Sequence, residues 1–221
     1  MTVVPVRDAA TVMLVRDGAS GLEVFMIRRS LRLVFAGGAH VFPGGAVDGI
    51  DRQAGEDAFK VAAVRECFEE AGFLLAFDRA GEVVRLDDPT TAERFFRYRG
   101  EIVRGERPLA DVCATEGLRL AVDRMHYVSR WITPEGAPRR FDTRFFVCAA
   151  PERQTPLHDA EETIAHEWVR PGDMLSRHAD GAVDLMLPTQ RSLQWLQEHG
   201  SASAVLEAAA AGTPEGQYQR G

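Results

Sequence analysis

The sequence is poor in cysteine, has no excess of positive charge and contains no long apolar run. Its 221 residues include three cysteines, Cys67, Cys113 and Cys148, without the spacing of a metal site. Because they are odd in number and lie in apolar contexts, we predict that they are buried and reduced in a cytoplasmic protein. The net charge of −7 argues against a broad nucleic-acid-binding face. We expect neither a membrane span nor a leader segment before Asp8.

Length and composition suit one domain with a sizeable core. Hydrophobic residues make up 45% of the chain and charged residues 27%, which is ordinary for a globular protein. We predict a single domain over residues 1–211 and a disordered tail over residues 212–221, where apolar anchors are scarce.

Three glutamates, Glu66, Glu69 and Glu70, are spaced to share one face of a helix predicted over residues 57–72. Clustered carboxylates repel one another at neutral pH, so a neutralising cation is expected, and all-oxygen ligands suit Mg²⁺ or Mn²⁺. The alternative is a solvated helix face. A Phe-Pro-Gly-Gly turn at residues 42–45 argues against it, because glycines let the backbone approach a ligand closely.

Residues 65–73, Arg-Glu-Cys-Phe-Glu-Glu-Ala-Gly-Phe, resemble the second half of the Nudix hydrolase box, R-E-U-x-E-E-x-G-U, in which U is apolar. The first half differs. Six residues after the glycine turn, where the box has Glu, this chain has Asp51, and thirteen residues rather than seven separate it from the arginine of the box. Either the box carries a six-residue insertion within Asp51 to Asp57, or Glu56 or Asp57 takes the place of the first Glu.

The resemblance implies a metal-dependent enzyme that hydrolyses a diphosphate joined to another moiety, with Mg²⁺ or Mn²⁺ as cofactor. By the matching positions, the metal ligands are Glu66, Glu69, Glu70 and the carbonyl of Gly45. Arg65 would hold Glu69 through a charge-assisted hydrogen bond. The alternative for Arg65 is a weak surface pair with Glu69 one helical turn away.

Water attack on a diphosphate also requires a general base. The candidates are Glu66 on the helix and Glu161 or Glu162 in a late acidic loop. Glu162 resembles an acid that lies shortly before the Glu-Trp-Val strand in relatives. Its alternative is a solvated loop acid.

Four arginines are candidates for binding substrate phosphates: Arg28, Arg29, Arg32 and Arg144. The coenzyme A diphosphatase branch of the family has an upstream motif that Arg29-Ser30 and Gly38 match, although Val34 replaces its inner arginine. Residues 131–143 also resemble the peroxisomal coenzyme A diphosphatase group and its bacterial relatives. Each arginine taken alone is more often a solvated surface charge.

The leading substrate is therefore coenzyme A or an acyl-CoA, cleaved to 3′,5′-ADP and a 4′-phosphopantetheine product. The alternatives are NADH, ADP-ribose or a dinucleoside polyphosphate. An alternative of another class is a non-catalytic Nudix regulator that senses a nucleotide, which the altered first half of the box allows. We expect a small-molecule partner rather than nucleic acid or membrane, and a homodimer is compatible with the sequence.

Strand-forming segments before and after the helix predict an α+β fold in which a mixed sheet lies between helices. The resemblance specifies this as the Nudix α/β/α sandwich. The predicted strands cover residues 9–16, 22–28, 40–42, 125–133, 141–150 and 163–169. Residues 89–125 are predicted to form a helical insertion over one end of the sheet, with a threonine capping its first helix. We expect this insertion to be a packing lid without chemistry.

Overall fold

Strands from both ends of the chain meet in one mixed sheet. The computed structural model describes residues 4–30, 38–156 and 163–212. The strands of the chain are β1 (Val6–Gly18), β2 (Gly21–Arg29), β3 (His40–Val41), β4 (Gly44–Ala46), β5 (Ala76–Phe77), β6 (Arg119–Leu120), β7 (His126–Ile132), β8 (Arg140–Ala149) and β9 (Thr163–Val169). Seven of them form the mixed sheet, whereas β5 and β6 pair with each other in a separate two-stranded sheet. Its helices are α1 (Ala58–Ala71), α2 (Pro89–Val103), α3 (Leu109–Glu116), α4 (Pro171–Ala179), α5 (Leu187–Gln197) and α6 (Ala202–Ala210).

The long strand β1 is the centre of this sheet. It pairs in parallel with β8 over Val6 to Val15, and its other edge carries β4 at one end and β2 at the other, both antiparallel. The hydrogen-bonded strands follow the order β3-β2-β1-β8-β7. Strands β1 and β3 pair with different parts of one edge of β2, and β9 pairs with its opposite edge. Mixed pairing around a buried central strand requires helices on both faces, which agrees with the predicted α+β class.

Alternate residues of β1 enter two different cores. Val12 and Leu14 belong to the core beneath α1, α2 and α3, whereas Met13 and Val15 belong to the core beneath α4, α5 and α6. The side-chain period of two in a strand produces this division. The predicted α/β/α arrangement is confirmed, and α1 lies buried between the sheet and the helical insertion.

The helical insertion contains α2 and α3, but the predicted threonine cap of α2 is wrong. Asp88 is the N-cap, and its carboxylate accepts a hydrogen bond from the Thr91 backbone N–H at 2.8 Å. Pro89 follows at the start of the helix, where a missing N–H costs nothing. An aspartate directly before a proline is therefore the stronger start signal.

All three cysteines are buried and unbonded, as predicted. No helix in the described ranges combines the length and apolar character that a transmembrane span requires. Except for Gly212, the predicted tail lies outside the described residues.

Candidate metal and diphosphate site

The helix that carries the glutamates is capped at both ends by its own sequence. Asp57 precedes α1 and accepts a hydrogen bond from the Phe59 backbone N–H at 3.0 Å. Gly72 follows it at φ 75°, a left-handed conformation that favours glycine, and donates to the Phe68 carbonyl at 3.0 Å. The predicted boundaries are therefore confirmed, and the glutamates lie in the last two turns.

Arg65 is the centre of a buried ionic cluster. Its guanidinium donates to both carboxylate oxygens of Asp51 at 3.0 Å, and to Glu66 Oε1 at 2.9 Å. It also reaches Glu69 Oε1 at 3.3 Å and the Ala46 carbonyl at 2.9 Å. The Arg65 side chain is only 9% exposed. It is thus a buried guanidinium hydrogen-bonded to three carboxylates, and a fourth, that of Asp48, lies 3.7 Å from its Nη2.

Of the three candidates for the box's first acid, Asp51 is the one that contacts Arg65. It is 2% exposed, sits in a short 3-10 turn, and binds Arg65 through both oxygens. The two alternatives have other roles, because Asp57 caps α1 and Glu56 is exposed. These contacts favour the alternative in which the extra residues of the box follow Asp51, in the loop that leads into α1.

The glycine turn lies directly against the glutamates. Gly44 donates its backbone N–H to Glu70 Oε2 at 2.8 Å. A Cβ added to Gly45 would overlap the Glu66 carboxylate. Any larger residue at position 45 would displace Glu66, so the sequence needs glycine there to bring the backbone and the carboxylates together.

Burial makes these carboxylates hold protons more tightly. Burial raises the pKa of Glu66 to about 7, and the charge of Glu69 adds to the rise while Arg65 opposes it. Burial also raises the pKa of Glu69 against the opposing effect of Arg65. Burial lowers the pKa of Arg65, but the hydrogen bond and charge of Asp51, together with the charges of Glu66 and Glu69, raise it overall. The cluster thus holds more carboxylates than its one arginine can neutralise.

A divalent cation would complete this charge balance. In the described ranges, no three His, Cys, Asp or Glu side chains are arranged to hold a metal ion. The reason is visible in the contacts, since Glu66 and Glu69 are directed at Arg65 and Glu70 at Gly44. The donor set nevertheless fits a hard cation, because its ligands are carboxylate oxygens. These oxygens lie against the backbone of Gly45, where a side chain would not fit.

The predicted phosphate-binding arginines are divided between the two faces of the sheet. Strand alternation places Arg28 on the face opposite Ile27, away from α1. The register of β2 and β9 shifts between Arg28 and Arg29, so alternation does not fix the face of Arg29. Arg29 Nε is buried without a hydrogen-bond partner among the described residues. Arg28 lies near His40, whose pKa is lowered by burial and further by the neighbouring arginines, although Glu167 opposes this. Arg28 is therefore placed away from the α1 side.

Arg144 lies on the α1 side of the sheet, beside the cluster. The register aligns Gly45 with Ala10 of β1, and Ala10 with Arg144 of β8. Two strand spacings put Arg144 about 10 Å from Gly45. Its guanidinium stacks on the Phe59 ring at 3.6 Å from the centroid, while Asp142 of the same strand pairs with Arg130. Arg32, Val34, Glu161 and Glu162 lie outside the described residues.

Sequence reasoning missed one buried arginine next to the site. Arg99 of α2 is 6% exposed and donates to the carbonyls of Phe68 and Glu69 in the last turn of α1. A signal was present, because Arg99 lies one turn after Phe95 and next to Tyr98 on the buried face of α2. A charged residue on an apolar helix face is informative.

Comparisons with known proteins agree with this geometry. Residues 53–194 match the family model described as the NUDT19 Nudix domain. The human acyl-coenzyme A diphosphatase NUDT19 is 28% identical over 209 residues, covering 70% of this chain and 55% of that protein. Its chicken counterpart is 26% identical over 249 residues, covering 82% of this chain and 65% of that protein. The chain thus spans 55% of the length of the human protein and 65% of the length of the chicken protein.

A solved structure extends the likeness to almost the whole chain. The crystal structure of a Nudix hydrolase from Alicyclobacillus acidocaldarius is 30% identical, with a TM-score of 0.81. The alignment covers 92% of this chain and 96% of that one. With its box glutamates, its buried arginine and these matches, the chain belongs to the Nudix hydrolase family, in the group described by the NUDT19 Nudix domain.

Proposed function

We propose that the protein hydrolyses a diphosphate linkage in a nucleotide derivative with the help of Mg²⁺ or Mn²⁺, and that coenzyme A or an acyl-CoA is its leading substrate. The observation that carries the proposal is the contact between the glycine turn and the carboxylates. Gly44 binds Glu70, and Gly45 leaves space only for Glu66.

Glu66, Glu69, Glu70 and the Gly45 carbonyl would hold the cation. When bound, the cation screens the crowded phosphate oxygens and so allows water to attack phosphorus. Arg65 orients Glu66 and Glu69 through its hydrogen bonds, while Asp51 fixes the guanidinium from the opposite side. A bound cation would offset the repulsion among the negatively charged side chains of Glu66, Glu69 and Glu70.

Water attack adds OH to one phosphorus and H to the leaving phosphate, so the anhydride P–O bond breaks and no other reactant is consumed. A base must remove the proton of the attacking water. Glu66 and Glu162 are the two bases that we propose to test. Glu66 has the buried environment and the raised pKa of such a group, whereas Glu162 follows from the resemblance alone.

Arg29 and Arg144 are the proposed phosphate-binding residues, and Arg144 lies on the α1 side. Arg29 has a buried nitrogen without a partner in the described part of the chain, and Arg144 is held flat against Phe59. The Arg144 guanidinium lies about two strand spacings from the glycine turn, so it would bind a second phosphate group of the substrate rather than the diphosphate at the cation. Coenzyme A carries such a group, the 3′-phosphate. The relatives named acyl-coenzyme A diphosphatase support the same substrate class.

A substrate panel tests the proposal. We expect coenzyme A or a short acyl-CoA to show a higher kcat/KM than ATP, NADH or ADP-ribose, since an enzyme uses at the transition state the binding energy of groups that fit its site. A higher kcat/KM for ADP-ribose or NADH than for every coenzyme A species would contradict the substrate proposal. Ion binding without turnover of any substrate would indicate a nucleotide-sensing regulator.

A further inference from the structure

The last turn of α1 is electrostatically unfavourable. Helix carbonyls give the C-terminal end a partial negative charge, which favours basic residues there. In α1 this turn instead carries Glu69 and Glu70, and it contains no basic residue. The last carbonyls of a helix also lack partners within the helix. Something outside α1 must supply both positive charge and hydrogen-bond donors.

Arg99 of the helical insertion supplies both. Its Nε donates to the Phe68 carbonyl at 3.0 Å and to the Glu69 carbonyl at 2.8 Å, and its Nη2 donates to the Glu69 carbonyl at 2.6 Å. These are charge-assisted bonds in a buried setting. The Glu69 carbonyl is thus held by two nitrogens of one planar group.

Helix α2, which carries Arg99, is itself held in place by hydrogen bonds to α3 and by packing into the core. Arg94 binds Glu116 of α3 through two nitrogens at 2.9 and 3.2 Å, and the Tyr98 hydroxyl donates to the same carboxylate at 2.9 Å. Ile102 is 7% exposed and packs into the core beneath α1. The guanidinium of Arg99 therefore belongs to a rigid pair of helices.

We propose that Arg99 is a positioning residue that fixes the last turn of α1, so that Glu69 stays directed at Arg65 and Glu70 at the glycine turn. The insertion, predicted to be a packing lid without chemistry, then acts on the site through the backbone of a metal ligand. The proposal rests on the proposed function, which makes Glu69 and Glu70 the ligands.

The test compares Arg99→Met with two variants of the same helix. Met keeps the length of the side chain but removes charge and donors. Arg97→Ala removes an exposed arginine of α2, and Ile102→Ala destabilises α2 without touching the α1 carbonyls. For each variant we would measure the Mn²⁺ dissociation constant by electron paramagnetic resonance, the midpoint of unfolding, and amide hydrogen exchange in residues 69–72.

We expect Arg99→Met to weaken Mn²⁺ binding about 10-fold or more, as losses of residues that orient metal ligands commonly do. It should also speed amide hydrogen exchange in residues 69–72. Ile102→Ala, by contrast, should lower the unfolding midpoint without weakening Mn²⁺ binding or speeding exchange in these residues. Arg99→Lys should fall between wild type and Met, because an ammonium cannot reproduce the two-nitrogen contact. If Arg99→Met does not fold, the Mn²⁺ affinity and the amide hydrogen exchange of Arg99→Lys test the proposal instead.

Equal Mn²⁺ affinity and exchange in wild type and Arg99→Met would overturn the proposal. So would a matching loss of affinity in Ile102→Ala, since the effect would then be one of stability. If wild type binds no divalent ion, the proposed function is what fails, and the exchange in residues 69–72 alone decides the role of Arg99.

Discussion

Asp51→Asn removes one charge from a buried ion pair while keeping the size of the side chain. The new amide places a donor where Asp51 now accepts from Arg65 at 3.0 Å. Removing one partner of a buried pair costs about 3–5 kcal/mol, because the remaining charge stays buried without compensation. Arg65 keeps Glu66 and Glu69 as partners, so we expect the lower end, about 3 kcal/mol.

Urea denaturation of the metal-free protein measures this loss. At a slope of about 2–3 kcal/mol per molar, the midpoint should fall by about 1 M or more. Asp57→Asn and Glu56→Gln are matched controls. Asn serves as well as Asp in capping a helix, and Glu56 is exposed. Each control should change the free energy of unfolding by less than about 0.5 kcal/mol.

The controls also locate the first acid of the box. A loss below about 1 kcal/mol for Asp51→Asn, or a larger loss for either control, would refute the assignment of Asp51 to that position. The turnover of Asp51→Asn should fall as well, because Arg65 would no longer be fixed on the side opposite Glu66 and Glu69.

Four further predictions concern the site. Glu69→Gln and Glu70→Gln should each lose most turnover with little loss of stability, because the change relieves repulsion; near wild-type rates at limiting Mg²⁺ would contradict the ligand assignment. If Glu162 is the base, Glu162→Gln should slow turnover by about 10²–10⁴ with metal affinity unchanged; the same loss in Glu66→Gln alone would assign the base to the helix. Arg144→Ala should raise KM for coenzyme A more than for dephospho-coenzyme A, and equal effects on both would place Arg144 away from the 3′-phosphate. The pKa of Glu66 is raised from 4.5 to about 7, so the folded metal-free protein binds more protons than the unfolded chain between these values. Its free energy of unfolding should fall as pH rises through that window, and a divalent ion should restore it above pH 7; a rise with pH in metal-free protein would contradict the burial of Glu66.

Local signals in the sequence predict α1 well, because its two caps and its carboxylates lie within one short segment. Asp57 and Gly72 act where the chain enters and leaves the helix, and both were identifiable from residue type and spacing. The hairpin of β1 and β2 was predictable for the same reason.

Contacts between segments that are distant in the sequence were harder to predict. The choice between Asp51, Glu56 and Asp57 depends on which carboxylate the loop buries against Arg65, and spacing does not determine that. Arg99 reaches a carbonyl thirty residues away in the chain, so only its place on an apolar helix face hinted at a role. The face of Arg28, by contrast, follows from strand alternation.

The most direct test of the central claim is incubation of the protein with coenzyme A in ¹⁸O-labelled water, with and without Mg²⁺, followed by mass analysis of the products. The proposed chemistry predicts 3′,5′-ADP and 4′-phosphopantetheine, with one ¹⁸O in one of the two, only when the ion is present, and almost none from Glu70→Gln. Intact coenzyme A in the presence of Mg²⁺ or Mn²⁺, or equal cleavage in a chelator, would contradict it.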